Sequence, residues 1–141
     1  YMTRREIRDS AFKIIYEKLL RDDSLEDLYE MAEEVEEITL NEKVKEIVEG
    51  VTEHSSELDE IISNFSKTRG FSRIAKINIA ILRIAVYEIL YDEKTPVNAA
   101  INEAVLLSET YSFKEDTSFV NGVLSAFEKT LPKLEETPEH A

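Results

Sequence analysis

The chain has 141 residues and a formal net charge of −13, with 43% hydrophobic residues, 33% charged residues, three glycines and three prolines. This composition is typical of a single, mostly helical globular domain that is large enough to bury its own core. The sequence contains no cysteine, which excludes disulfide bonds, zinc-thiolate sites and thiol nucleophiles and fits a cytoplasmic protein. The most apolar stretch, residues 77–91, is interrupted by Asn78, Arg83 and Glu88 and is too short to span a bilayer, so we expect no membrane association.

Charge is strongly segregated along the chain. Residues 22–60 contain sixteen carboxylates and two lysines, a net charge of −14, whereas residues 61–87 contain five basic residues and no acidic one. Residues 1–21 carry a net charge of +3. Local charge, more than total charge, determines which partners a protein attracts. The acidic segment is explained by solubility alone, and the two basic segments are candidates for contact with an anionic partner.

The first half of the chain predicts four helices. Thr3 and Glu6 form a capping-box pattern at the start of the first helix, whose apolar residues recur at helical spacing. Ser24 is the predicted cap of the second helix, and Thr39 or Asn41 that of the third. A fourth helix is predicted to begin near residue 55 or 56.

The second half predicts three further helices. Residues 72–91 are apolar on almost every side, which indicates a central, buried helix. Thr95 as cap and Pro96 as first residue predict the start of the next helix, and the last begins near Asp116. Gly122 interrupts that last helix, which indicates a close approach between helices.

These elements predict an all-α fold of about seven helices in one domain spanning residues 1–141. We expect an N-terminal helical subdomain over about residues 3–54 and a C-terminal one over about residues 55–131. The polar residues 132–141 are predicted to be disordered.

No sequence motif for catalysis is present. The sequence lacks a zinc-protease motif, a glycine-rich phosphate loop and a nucleophile elbow. His54 with Glu53 and Glu57 could bind a metal, but this spacing is common by chance on an acidic helix. We therefore expect no enzymatic activity, no cofactor and no metal.

Arg4, Arg5 and Arg8 lie at the start of the first helix, where the helix dipole favours acidic residues. Spaced within one turn, they can share one face. Two interpretations remain open: ion pairs with Asp9 or Glu17 on the same helix, or contact with an anionic partner.

Four stretches together resemble the NusB family of transcription antitermination factors: RREIRDSAFKIIY (4–16), ILRIAVYEIL (81–90), TPVNAAINEA (95–104) and FVNGVL (119–124). Their order and spacing match along nearly the whole chain. The resemblance implies a NusB-like fold of two small helical bundles. It also implies binding of single-stranded boxA RNA from ribosomal RNA leader transcripts, together with the ribosomal protein NusE, in an RNA polymerase antitermination complex. The free protein would be a monomer or a homodimer. The alternative is a protein-only helical interaction module or homodimer that binds no RNA.

The resemblance also implies site residues. It places Arg4, Arg5, Arg8, Asp116 and Phe119 at the RNA surface, although Phe119 could equally pack in the core. Tyr16 is expected either beside the arginines as a stacking surface or partly buried. Lys67, Arg69 and Arg73 flank the loop before the central helix and are expected to extend the basic strip. The residues that match the NusE-facing surface are Arg73, Lys76, Ile77 and Asn78. Arg83 is expected to be buried and paired with Glu103 or Glu88.

Overall fold

The computed structural model describes residues 2–132, so the predicted disorder of residues 132–141 falls, except for Pro132, outside the described residues. Within that range the chain forms seven α-helices and one 3-10 turn, which confirms the all-α fold with about seven helices. The helices are α1 (Arg4–Leu20), α2 (Leu25–Glu33), α3 (Glu42–Glu53), α4 (Ser55–Phe65), α5 (Lys76–Tyr91), α6 (Val97–Tyr111) and α7 (Lys114–Glu128), and the turn is Phe71–Arg73.

The predicted caps of the first three helices are confirmed. In the capping box of α1, the Glu6 amide donates to Thr3 Oγ1 at 3.1 Å and the Thr3 amide donates to Glu6 Oε1 at 2.8 Å. Ser24 Oγ accepts from an amide of the first turn of α2, and Asn41 Oδ1 accepts from the Val44 amide in α3. Each such cap contributes about 1 kcal/mol to helix stability.

The later helices begin at residues other than those predicted. Residues 71–73 form the 3-10 turn, so α5 begins at Lys76 and not at residue 72. Pro96, not Thr95, occupies the cap position of α6. Thr95 is buried instead, because its hydroxyl donates to Asp92 at 2.7 Å and accepts from Arg4 Nη1 at 3.1 Å. The last helix, α7, begins at Lys114, two residues before Asp116.

Helix α5 lies at the centre of the molecule and contacts α1, α3, α4, α6 and α7. Its residues Ile81, Leu82 and Val86 are fully buried in one hydrophobic cluster to which all seven helices contribute. The boundary predicted between the two subdomains falls at His54, where α3 ends and α4 begins. Because one core crosses that boundary, the division into subdomains stays a prediction.

Close helix approach occurs at Gly50 and not at Gly122. A Cβ atom at Gly50 would overlap the Tyr87 ring, so the absence of a side chain on α3 permits its contact with α5. A Cβ atom at Gly122 would meet no atom within 4 Å, and the predicted close approach there is wrong. None of the helices within residues 2–132 has the length and apolarity needed to cross a bilayer.

Candidate functional site

Arg8 does not share an exposed face with its two neighbours, and that expectation is wrong. Only 5% of the residue is exposed. It lies on the same side of α1 as the buried Ala11, Phe12 and Ile15, which follow it at helical spacing, and this side faces α5 and α6. Its Nη2 lies 2.8 Å from Glu88 Oε2 and its Nη1 lies 3.2 Å from Glu103 Oε1. The Arg8 guanidinium therefore holds the helices together and offers little surface to a ligand.

Arg4 and Arg5, here called the N-terminal arginine pair, remain on the surface. The Arg5 side chain is 69% exposed, and its Nε and Nη2 donate to the Glu103 carboxylate at 3.1 and 2.8 Å. Arg4 Nη1 donates to Thr95, and within residues 2–132 Arg4 makes no ion pair. Of the two interpretations of the arginines, pairing with Asp9 or Glu17 is not observed, because the paired arginines bind carboxylates of α5 and α6.

Burial and hydrogen bonding set the charges around the N-terminal arginine pair. Burial raises the pKa of Glu88, and the Arg8 guanidinium opposes that rise. Hydrogen bonds from Arg5 hold the pKa of Glu103 below its ordinary value, so Glu103 is ionised at neutral pH. Asp92 also lies within electrostatic reach of Arg4 and Arg8, so three carboxylates, Glu88, Glu103 and Asp92, face the three arginines.

A second basic group lies where the loop after α4 meets the start of α7. Arg69 Nη1 lies 3.2 Å from Asp116 Oδ1, and the Arg69 guanidinium carbon lies 4.2 Å from the centre of the Phe119 ring. Burial opposes the ionised form of Asp116, but hydrogen bonds from Ser112 and Arg69 lower its pKa overall. Arg69, Asp116 and Phe119, here called the Arg69 corner, were predicted from separate parts of the chain, and the structure brings them together.

The Arg69 corner offers less aromatic surface than the sequence indicates. Phe119 is half-buried against the core, and the Arg69 guanidinium stacks on its ring. Lys67, two residues before Arg69, is exposed. Sequence reasoning missed Phe113, an aromatic residue that is exposed between α6 and α7. Its position in the sequence, outside the apolar stripes of both helices, is the feature that could have predicted its exposure.

The N-terminal arginine pair and the Arg69 corner lie at different ends of α6. Glu103 binds Arg5, and Tyr111 lies eight residues later, about 12 Å along the helix axis. The next residue, Ser112, donates a hydrogen bond to Asp116 of the corner. No hydrogen bond or ion pair joins the two groups within the described part of the chain. A ligand that contacts both would have to extend along α6.

Tyr16 does not lie beside the N-terminal arginine pair. It follows Arg5 by eleven residues, about 16 Å along α1, and its ring is parallel to that of Phe12, with 6.0 Å between ring centres. Together with Ile77 it lines a groove of about 530 Å³ between α1, α2 and the start of α5. This apolar groove is lined mainly by Phe12, Tyr16, Leu28, Met31, Val35 and Ile77.

The predicted partner residues divide between surface and core. Arg73 and Lys76 are exposed and Ile77 is half-buried in the apolar groove. Asn78 is 0% exposed, so the prediction that it faces a partner is wrong. The reason is that α5 turns Asn78 towards the junction of α6 and α7, where its Oδ1 accepts from the Ser112 hydroxyl at 3.0 Å.

The predicted pairing of Arg83 with Glu103 or Glu88 is also wrong. Arg83 Nε and Nη2 donate to the two oxygens of Asp59 on α4, at 2.8 and 2.6 Å. Glu88 and Glu103 are occupied by Arg8 and Arg5.

His54 lies against an aromatic ring. Its ring stacks on Tyr91 with 4.3 Å between ring centres, and its nitrogens lie 3.6 and 3.7 Å from Glu53 and Glu57. In residues 2–132 no group of three or more histidine or acidic side chains is placed to hold a metal ion.

Comparison with known proteins agrees with this architecture. The sequence profile of the NusB family matches residues 5–129. The transcription antitermination protein NusB of Acetivibrio thermocellus is 41% identical over 127 residues, which cover 87% of this chain and 86% of that protein. The structure of T. maritima NusB matches with a TM-score of 0.79 and 29% identity, covering 95% of this chain and 96% of that one. A crystal structure of the antitermination factors NusB and NusE in complex with dsRNA matches with a TM-score of 0.78 and 27% identity, covering 91% of this chain and 97% of that one. Profile, sequence and structure agree over most of the chain, and the chain belongs to the NusB family.

Proposed function

We propose that this chain is a transcription antitermination factor that binds single-stranded boxA RNA of ribosomal RNA leaders together with the ribosomal protein NusE. The proposal includes its action within an RNA polymerase antitermination complex in the cytoplasm, without chemistry of its own. Family membership supports it, as does the related NusB structure that contains both NusE and RNA. The observation that carries it is the exposure of Arg4 and Arg5 on a molecule whose net charge is −13.

The N-terminal arginine pair is suited to phosphate contact. A guanidinium presents five N–H donors in a planar fork that matches phosphate oxygens. The Arg5 Nη1 group donates to no described residue, and Arg4 gives only one hydrogen bond, to Thr95. Both side chains therefore retain donors that can bind an RNA backbone.

The Arg69 corner is the proposed second contact with RNA. Asp116 forms an ion pair with the Arg69 guanidinium, and one face of that guanidinium stacks on the Phe119 ring. Sequence-specific RNA recognition generally uses unstacked bases, which stack on aromatic rings or on arginine planes. RNA would run along α6 between the two basic groups, with Lys67 as an additional phosphate contact. Arg8 is not part of this surface.

The apolar groove is the proposed NusE surface. Ile77 lies in it, and the exposed Arg73 and Lys76 lie near it in the chain. Met31 and Val35 at its edge are large apolar side chains that remain exposed in the isolated chain, which is typical of a surface that a protein partner covers. Because Tyr16 lines the groove, we assign it to the proposed NusE surface and not to the RNA surface.

Titration of a boxA-type RNA against a scrambled RNA, with and without NusE, tests the proposal. We expect weak binding by the chain alone, because acidic residues surround the basic groups, and tighter, sequence-selective binding when NusE is present. Equal affinity for both RNAs with NusE present would contradict the proposed function.

The alternative of a protein-only helical homodimer is favoured by one observation, the apolar groove itself. It predicts that the chain sediments as a dimer and that NusE and a second copy of the chain compete for the groove. Sedimentation at increasing concentrations, with and without NusE, separates this alternative from the proposed function.

A further inference from the structure

Phe113 is the most exposed large apolar side chain in the described part of the molecule, with 76% of its surface accessible. It lies at the cap position of α7, in the short connection from α6, and it makes no contribution to the hydrophobic cluster. A phenyl ring that is mostly exposed contributes little to folding, because most of its apolar surface stays in water. Packing in the core therefore does not account for its position, and its surroundings decide what it can bind.

The backbone at Phe113 is firmly held. Its carbonyl accepts from the Asp116 amide at 2.9 Å and from the Thr117 amide at 3.2 Å, which are bonds of the first turn of α7. Asp116 is in turn bound by Arg69 and Ser112. The ring is thus presented from an ordered position next to the Arg69 corner.

The surroundings of Phe113 favour a nucleic acid over a protein partner. Lys114 follows it directly, and Arg69 is bound to Asp116 one turn away, so the ring lies near two cationic residues as well as the carboxylates of Glu115 and Asp116. A protein partner would require a contiguous apolar patch, and such a patch exists on the apolar groove, which Phe113 does not line. A single exposed aromatic ring next to the Arg69 corner is suited to stacking on an unpaired base.

Phe119 cannot supply the same surface. The Arg69 guanidinium covers one face of its ring, and the core covers much of the rest. The Phe113 ring has no such cover.

We propose that Phe113 is a stacking residue for an unpaired base of single-stranded RNA, extending the Arg69 corner onto the connection between α6 and α7. The inference rests on the proposed function, because it names a contact of the same RNA. Replacing Phe113 with alanine is expected to weaken RNA binding about tenfold and to leave the thermal unfolding temperature unchanged.

The chain contains no tryptophan, so Phe113→Trp introduces a single fluorescent reporter at the proposed contact. Stacking on a base quenches tryptophan fluorescence, and we expect saturable quenching by boxA-type RNA in the presence of NusE. The quenching should follow the same binding curve as the anisotropy of a labelled copy of the RNA. Leu20→Trp is the matched control, since Leu20 is also an exposed large apolar residue but lies at the far end of α1. Its fluorescence should not change on RNA binding.

The outcomes separate this inference from the proposed function. RNA that binds with unchanged fluorescence at position 113 would overturn the inference alone, as would full quenching by NusE without RNA. Failure of the wild-type chain to bind RNA with NusE present would overturn both. Loss of RNA affinity in Phe113→Ala, together with retained affinity and quenching in Phe113→Trp, would establish the stacking contact.

Discussion

Arg8 on α1 and Glu88 on α5 form a buried ion pair in which Arg8 Nη2 lies 2.8 Å from Glu88 Oε2 and Arg8 Nε lies 3.1 Å from each Glu88 oxygen. Glu103 on α6 accepts from the remaining arm of the guanidinium. Three helices that are distant in the sequence therefore meet at one arginine. This pair orients the end of α1 from which Arg4 and Arg5 reach the surface.

Removing one member of the Arg8–Glu88 pair should be costly, because the other charge is left buried. We expect Arg8→Ala to lower the free energy of unfolding by about 3–5 kcal/mol. The double variant Arg8→Met with Glu88→Leu should recover most of that loss. Urea unfolding of the three proteins measures both effects, and a single variant as stable as wild type would contradict the burial of the pair.

The two helical glycines should respond to alanine in opposite directions. Gly122→Ala should stabilise the chain by about 0.4–1 kcal/mol, since alanine has the higher helix propensity and the site is open. Gly50→Ala should destabilise it by about 1–3 kcal/mol, because the new methyl group displaces the Tyr87 ring from its place beside His54 and Tyr91. Thermal or urea unfolding compares them directly, and a change of the same sign in both would refute the difference in packing.

Local signals in the sequence predict the caps of the first three helices correctly, whereas the burial of individual polar residues depends on long-range contacts and was not predicted. The caps at Thr3, Ser24 and Asn41 depend on side chains within three residues of the helix start, so the sequence alone predicts them. The burial of Arg8 depends on Glu88 and Glu103, which lie 80 and 95 residues away. A charged residue at the start of a helix is normally exposed, and only its partners show that it lies inside.

The predicted site residues show the same contrast between local and long-range signals. The resemblance to the NusB family places predicted site residues at the starts of α1 and α7, but it does not determine which residues of each motif are exposed. Asn78 occupies a helix start that is otherwise polar, and its burial follows from the packing of α5 against the junction of α6 and α7. Phe113 was missed because an apolar residue beside a helix is usually part of the core.

Glu103 should make the free energy of unfolding depend on pH. Hydrogen bonds from Arg5 lower its pKa from the ordinary 4.5, so the folded state binds fewer protons than the unfolded state in that range. Its contribution is therefore complete above about pH 4.5 and is lost as the pH falls through the lowered value. We expect Glu103→Gln to be less stable than wild type at neutral pH and the difference to shrink on acidification, measured by urea unfolding down to about pH 3. A difference that is constant over this range would argue against the lowered pKa.

The apolar groove should lose affinity for NusE when a charge enters it. Met31 is an exposed lining residue, so Met31→Lys should not affect folding but should place an ammonium group in a desolvated contact. We expect at least about tenfold weaker NusE binding by calorimetry. Leu20→Lys, at another exposed apolar position that does not line the groove, is the matched control. Equal effects of the two variants would exclude the groove as the NusE surface.

The dependence of RNA affinity on salt, measured with NusE present, tests the central claim that Arg4 and Arg5 neutralise RNA phosphates. Each phosphate contact on a single strand contributes about 0.7 to the slope of log affinity against log salt concentration. Replacing both Arg4 and Arg5 with alanine should lower that slope by about 1.4. The control Lys129→Ala, an exposed basic residue directly after α7, should leave it unchanged. A slope for the double variant equal to that of wild type would contradict the account.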